Sequence, residues 1–448
     1  MLLSGIAEKK LSNGLKVICL TKPGTPIVAV QVWYRVGSAF EKPGIRGISH
    51  FLEHMMFRGS AGIASEEHSR RINDVGGHCN AFTAEDVTAY TNSVPAGMLD
   101  MVFAMEADRM DGLLFDPALF ETERSVIIEE YHTYMNNPVA KAFLEFREEF
   151  YGDHPYAVSP LGRLEEIAGL SLADCRDYYA RRYRPDNAVV VVVGEVDGAE
   201  VFSAAQRHFG GKRLPTDDLP IFRLPPPLSA TNGQRSMTRS VEFDVPILVV
   251  GYPAPPSSHE DAVALEILLL IAAGGESSRM HREVVRRQSV AVMAGGMNHF
   301  LKASGMSMFF AAFTPDIRTE RVERALAAEI DRLRTEGITR EEMEKIRNTT
   351  ITGRIFELYS ADHICQRLGF GETIEGDHRL WVERMETLKH LDAEKLMDTA
   401  KRWWDDGAKR TLLLRPRRVN PLLYVGGFLR RAARLSPFWR GKATREAR

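Results

Sequence analysis

The amino-acid sequence predicts a chain of mixed helix and strand built in two halves of repeated order, and three observations carry that prediction. Short β-rich runs bounded by glycine and proline alternate with longer runs whose apolar residues recur at helical spacing. A stretch poor in periodicity, Arg213 to Gln234, holds Pro215, Pro220 and Pro225-Pro226-Pro227 and divides the chain near its middle. Beyond it, a succession of strand, helix, strands and helices begins again.

Taken in order, Leu15 to Leu20 and Ile27 to Val36 are β-rich and partly alternating, with Pro23-Gly24 between them, so both read as strands. A helix through His50 to His54 follows, then one from Ser65 to Val75 that ends at Gly76-Gly77. Cys79 to Val94 reads as strand again. Met98 to Met110 and Phe120 to Tyr134 are amphipathic helices, the second stopping before Asn136-Asn137-Pro138. After a further helical pair, Asn187 to Gly194 contains five consecutive valines, the pattern of a fully buried strand. In the second half, Ser240 to Gly251 reads as a strand and Asp261 to Ala273 as an apolar helix. Val290 to Gly295 and Ser304 to Phe313 read as strands before a helix through Glu329, and Thr339 with Glu342 forms a capping box for another.

Composition narrows the function. The 448 residues are 44% hydrophobic and 26% charged, ordinary for a globular protein of two to four domains. The net charge of −2 hides an asymmetry: from Arg415 onward ten Lys/Arg face one acid, Glu446, leaving the remainder near −11. That balance argues against nucleic acid as a ligand. Four scattered cysteines, Cys19, Cys79, Cys175 and Cys365, suit reduced structural thiols. With no signal-peptide pattern and no run of 18 apolar residues, the expected location is cytoplasmic. The tail, residues 415–448, is read either as a disordered basic extension or as a peripheral contact with an anionic membrane or a partner.

The chemistry concentrates in Gly47-Ile-Ser-His-Phe-Leu-Glu-His-Met-Met-Phe57. At 100° per residue a helix places His50, Glu53 and His54 on one side. Ile48, Phe51, Leu52, Met55 and Met56 fall on the other, at core spacing. Two neutral imidazoles one turn apart can hold one Zn²⁺ at about 2.0–2.1 Å per bond. The order His-x-x-Glu-His reverses the commoner zinc-hydrolase motif and is a hydrolase motif in its own right. Hydrolytic zinc sites use three protein ligands, so one more is needed. Further on, Glu123 and Glu130 stand seven residues apart, two helical turns, and share a face.

These segments, in this order, resemble the pitrilysin/insulinase family of inverted-motif zinc peptidases, in particular its processing-peptidase-like branch. The matching stretches run from Leu11-Ser-Asn-Gly-Leu-Lys through His50-Phe-Leu-Glu-His-Met-Met-Phe-Arg-Gly, Gly76-Gly-His-Cys-Asn-Ala-Phe-Thr and Thr88-Ala-Tyr-Thr. They continue with Glu123-Arg and Val126-Ile-Ile-Glu-Glu, His154-Pro-Tyr and Tyr183-Arg-Pro-Asp-Asn, and the resemblance as a whole extends over nearly everything from Leu11 to about Leu414. The resemblance implies an α+β fold of two homologous domains, each an internally duplicated antiparallel sheet with helices on one face, closing as a clamshell around a chamber. The expected segments are residues 1–212 for the zinc-peptidase domain, 213–236 for the linker, 237–414 for an inactive homologous domain and 415–448 for the tail.

By the same resemblance His50, His54 and Glu130 are ligands of one Zn²⁺ per chain, Glu53 is the general base and Glu123 orients a ligand. Asn80 and Ala81 lie on an edge strand that pairs with the backbone of short or unfolded peptide substrates. His78, Cys79, His132 and His154 are weaker candidates, and His154 is expected to order a turn. One departure matters. Where the family carries an arginine, and a tyrosine seven residues later, this sequence has Val285 and Val292, with Arg286 one position away. The chain therefore reads as the zinc-bearing half of a heterodimer whose homologous partner supplies the Arg/Tyr pair. The alternative is a non-catalytic structural subunit of a larger assembly with this fold.

Overall fold

The computed structural model of the chain describes residues 5–212, 224–225 and 235–418. Most of the proline-rich stretch and the basic tail lie outside that set. The first sheet is formed by β1 (Ile6–Lys10), β2 (Lys16–Thr21), β3 (Ile27–Tyr34), β4 (His78–Thr83), β5 (Thr88–Pro95) and β6 (Ala188–Gly194). The second is formed by β7 (Arg235–Val241), β8 (Ile247–Ala254), β9 (Met293–Phe300), β10 (Gly305–Ala312) and β11 (Arg410–Pro416).

The helices of the first half are α1 (Ile48–Met55), α2 (Glu67–Asp74), α3 (Leu99–Asp111), α4 (Pro117–Met135), α5 (Pro138–Tyr151), α6 (Leu164–Gly169), α7 (Leu172–Arg182) and α8 (Gly198–Phe209). Those of the second are α9 (Asp261–Ala273), α10 (Thr319–Thr335), α11 (Arg340–Glu357), α12 (Ala361–Phe370), α13 (Leu380–His390) and α14 (Ala393–Trp403). None is long and apolar enough to cross a membrane.

Sheet order exposes the repeat. The first sheet runs β1-β2-β6-β3-β5-β4 and the second β7-β11-β8-β10-β9. Setting β1 aside, the two orders superimpose strand for strand, and both wind through the chain in the same sequence. Even the exception to antiparallel pairing recurs, since β2 runs parallel to β6 and β7 runs parallel to β11. The expected α+β fold of two related domains is what the chain adopts, with one parallel pair in each sheet as a refinement.

The chain divides into two compact units. One comprises residues 1–135, 147–225 and 350–388, and the other residues 136–146, 226–349 and 389–448. Alternation in the central strands builds two apolar layers in the first unit. Val190 and Val192 of β6 join Val28, Val30 and Val32 of β3 in a core with α1, α3 and α4. Val189, Val191 and Val193 face the opposite side, where Ile364, Cys365 and Leu368 of α12 cover them. Helices thus lie on both faces of this sheet. A Cβ on Gly369 would stand 2.2 Å from Trp33 Nε1, so the glycine lets α12 lie against the indole. In the second unit α9 is largely apolar and mostly buried, with Asp261 and Glu266 its only charged residues.

Three readings of strands differ from the structure. Ser240 to Gly251 is two strands, β7 and β8, separated by a turn that ends at Pro246, which lacks an N–H to donate. The strand expected from Val290 to Gly295 lies later, as β9. β1 and β11 escaped notice, the first because its outer-edge residues are mostly exposed and lack apolar alternation.

Candidate functional site

The site is built on α1 and α4 of the first unit. α1 starts at Gly47, which adopts φ 97° and takes no cap from its own side chain. A Cβ there would meet Ile167 Cγ1 at 2.9 Å, so both conformation and space demand glycine. Glu41 supplies the missing cap: it accepts from Gly47 N at 2.7 Å and Ser49 N at 2.9 Å. Burial pushes the Glu41 carboxyl up to about 7, with those two N–H groups pulling the other way.

α4 begins at Pro117, with Asp116 Oδ1 accepting from Ala118 N and Leu119 N. Phe120, Glu123 and Ile127 are buried, and α4 packs across α1 through Phe51 and Phe120, whose ring centroids are 4.8 Å apart. Arg124 lies over Phe120 and donates to the carbonyls of Ile167, Ala168 and Leu170, tying α4 to the end of α6.

This packing brings the expected ligands together. The donor atoms of His50, His54 and Glu130 all lie within 4.8 Å of one another. Glu130 Oε2 stands 3.7 Å from His50 Nε2 and 3.6 Å from His54 Nε2. Ligands on a tetrahedral zinc at 2.0–2.1 Å are separated by about 3.3–3.4 Å, so the donor set fits that ion. Glu130 is 47% exposed and the histidines only 13% and 22%, so the centre opens to one side.

The local charge favours a cation. Burial, and then the neighbouring His54, lower the His50 pKa to about 4, which leaves a neutral imidazole at pH 7. Burial would also lower His54, but the bond to Glu123 and the charges of Glu53, Glu123 and Glu130 win and raise it. Three carboxylates therefore converge on one imidazole. His54 Nδ1 lies 3.1 Å from Glu123 Oε2, which directs Nε2 to the ligand position. Glu123 is 1% exposed, and its other oxygen lies 2.6 Å from Arg58 Nε. Burial would raise the Glu123 carboxyl, but His54 and Arg58 hold it below the ordinary range. Arg58 also pairs with Glu66, a residue held at φ 65°. His50 Nδ1 is buried with no hydrogen-bond partner among the described residues.

Glu53 lies beside this cluster, and Thr83 Oγ1 donates to its Oε2 at 2.5 Å. Burial raises the Glu53 carboxyl, opposed by Thr83 and His54. β4, which carries Thr83, is the outer strand of its sheet, so one of its edges has no strand partner among the described residues. Asn80 and Ala81 both lie on it. The Ala81 N–H donates to Asn80 Oδ1 at 2.9 Å, and Thr91 Oγ1 donates to the Asn80 carbonyl at 3.3 Å.

The weaker candidates stay outside the centre. Cys79 Sγ contacts Ser69 Oγ, and His132 is exposed. His154 Nδ1 accepts from Tyr156 N and orders its turn as expected. In the second unit Val285 sits in the π-helical turn His281–Arg287, and Val292 is 53% exposed. Arg286 pairs with Glu276 at 2.8 Å. Thr83, Arg58 and Glu41 were given no role from the sequence. Thr83 and Arg58 lie inside matched segments, whereas Glu41 bears no local mark.

The two sheets and the inverted histidine motif define a peptidase-type α+β fold, and sequence comparison agrees. The profile for insulinase (peptidase family M16) matches residues 16–162 and that for the peptidase M16 inactive domain matches residues 169–350, so the chain belongs to peptidase family M16. It is similar to the zinc protease PqqE of Helicobacter pylori, 27% identical over 409 residues, covering 91% of this chain and 92% of that protein. Among solved structures, a protease from Helicobacter pylori superimposes with TM-score 0.87 at 26% identity, over 92% of this chain and 100% of the other. A peptidase M16 inactive domain from Pseudomonas fluorescens gives TM-score 0.84 at 15% identity, over 93% and 99%, and shares the fold.

Proposed function

We propose that this chain is a zinc-dependent endopeptidase acting on short or unfolded peptides, and that it serves as the zinc-bearing half of a heterodimer. The observation that carries the reading is the spacing of the donors His50 Nε2, His54 Nε2 and Glu130 Oε2, with Glu123 behind His54 and Glu53 beside the cluster. One Zn²⁺ per chain would be held by those three residues. Bound there, it would bring the pKa of a coordinated water to about 7 and polarise a peptide carbonyl.

The remaining work falls to the protein. Glu53 takes the proton from the attacking water and passes it to the departing amine. Its buried surroundings raise its pKa, which suits a group that must both accept and release a proton. Glu123 holds His54 in the tautomer that presents Nε2. The free edge of β4 at Asn80 and Ala81 pairs with an extended peptide through backbone hydrogen bonds, which select for chain conformation more than for side chains. Val285 and Val292 offer no donor to a substrate carbonyl, which is why a second subunit enters the reading.

Metal analysis of the purified chain beside His50→Ala and His54→Ala tests it, together with hydrolysis of a fluorogenic peptide with and without a chelator. One zinc per chain, lost in both variants, and hydrolysis abolished by the chelator are expected. Chelator-insensitive hydrolysis would overturn it.

A further inference from the structure

We propose that Thr83 is a positioning residue for the base, tethering Glu53 to the strand that receives the peptide; this rests on the reading of Glu53 given above. The Thr83 hydroxyl donates to Glu53 Oε2 at 2.5 Å, and Thr83 is the last residue of β4. Thr83 is fixed in turn by its place opposite Thr88 of β5, whose own hydroxyl donates to the Val36 carbonyl at 2.9 Å. The tether therefore runs from the sheet interior to the carboxylate.

A glutamate side chain has three rotatable bonds, and a half-buried one can leave its working position. A hydroxyl held by the sheet removes that freedom. It also divides the two oxygens by role. Oε2 accepts from Thr83, so Oε1 is the oxygen left to take a proton from water. When Oε1 carries that proton, Oε2 still accepts from Thr83, and the acid stays in place to deliver the proton to the leaving amine. No bond to Thr83 is made or broken during transfer.

The repeat supplies an internal contrast. Thr83 closes β4 opposite the first residue of β5, and Phe300 closes β9 opposite Gly305, the first residue of β10. The position equivalent to Thr83 in the second sheet thus has no hydroxyl, and α9 there carries no histidine to match His50 and His54 of α1. Because the tether ends the same strand that carries Asn80 and Ala81, a peptide docked on that strand is placed relative to the base as well as to the metal ligands.

The test compares Thr83→Val, which keeps the shape and removes the hydroxyl, with Thr83→Ser, which keeps the hydroxyl, each in the full chain alone and with its partner. Zinc per chain is read by native mass spectrometry, and kcat and KM by peptide hydrolysis. For Thr83→Val we expect unchanged zinc and thermal stability, KM within about twofold, and kcat lowered about 10- to 100-fold, the range for a hydrogen bond to a charged group. Thr83→Ser should stay within about threefold of the parent. Full kcat in Thr83→Val, equal damage in both variants, or loss of zinc in Thr83→Val would each overturn the proposal. Glu53→Gln, measured alongside, separates the two levels: if it hydrolyses peptide normally, the role of Glu53 itself fails. If it is inactive while Thr83→Val is not, only the tether fails.

Discussion

Replacing Glu123 with glutamine probes the support behind the proposed metal ligands without touching one of them. The carboxylate is 1% exposed and has two partners, an ion pair with Arg58 Nε at 2.6 Å and a hydrogen bond with His54 Nδ1 at 3.1 Å. A glutamine fills the same space but has only one acceptor oxygen. If that oxygen turns to Arg58, the amide NH₂ faces His54 and favours the tautomer with its proton on Nε2, where a metal must bind. If the oxygen turns to His54, the NH₂ opposes the Arg58 guanidinium. Either way one contact of the buried carboxylate is lost, the ion pair with Arg58 or the bond to His54, worth about 1.5–3 kcal/mol. Because the loss bears on the metal-competent form of His54, it should weaken zinc binding about 10- to 100-fold, the usual effect of removing an outer partner of a ligand. Competition titration with a chromogenic chelator reads this directly. Glu123→Gln should still reach one zinc per chain at saturation, with a raised Kd. A Kd within twofold of the parent would refute the role given to Glu123.

Other expectations follow from the same contacts. Glu342 accepts from Thr339 N at the start of α11 and pairs with Arg279; burial would raise its carboxyl, but these partners outweigh it and hold it at about 2. A depressed carboxyl stabilises the fold above its ordinary value near 4.5 and loses that stability as pH falls toward 2, so Glu342→Gln should cost about 3 kcal/mol at pH 7 and little at pH 2. Chemical denaturation at the two pH values checks this. Phe51 is fully buried against Phe120, so Phe51→Ala should destabilise the first unit by about 3–5 kcal/mol, visible as a lower Tm, and reduce zinc loading with it. If the proposed heterodimer holds, the isolated chain should cleave slowly and gain about a hundredfold or more when mixed with a homologous partner bearing the Arg/Tyr pair, eluting as a 1:1 complex. Rapid turnover by the isolated chain, unchanged by any partner, would remove the need for one.

Local pattern explains what the sequence revealed. α1 was legible because one short helix divides its residues cleanly: Ile48, Phe51, Leu52 and Met55 are buried while His50, Glu53 and His54 face the opening. The five valines of β6 read correctly as a buried strand, since both faces of that strand are covered. Glu123 and Glu130 were matched to each other by their spacing, but their relation to α1 came from resemblance, because no local pattern reports which helix crosses which. The covering of the first sheet by α12 joins residues more than 300 positions apart, as the contact of Cys365 with Ala29 shows. Edge strands fared worst. β1 and β7 are mostly exposed, so neither carries the alternation by which strands are recognised. Thr83 and Arg58 went unassigned because each acts through a side chain brought near by folding.

The central claim is that His50, His54 and Glu130 hold one zinc while Glu53 performs the proton transfer. Measuring zinc content and peptide hydrolysis on the same preparation of Glu53→Gln tests it most directly. The account predicts one zinc per chain, as in the parent, with hydrolysis lowered by about 10²- to 10⁴-fold because the base is gone and every ligand remains. Parent-level hydrolysis by Glu53→Gln carrying its zinc would contradict it.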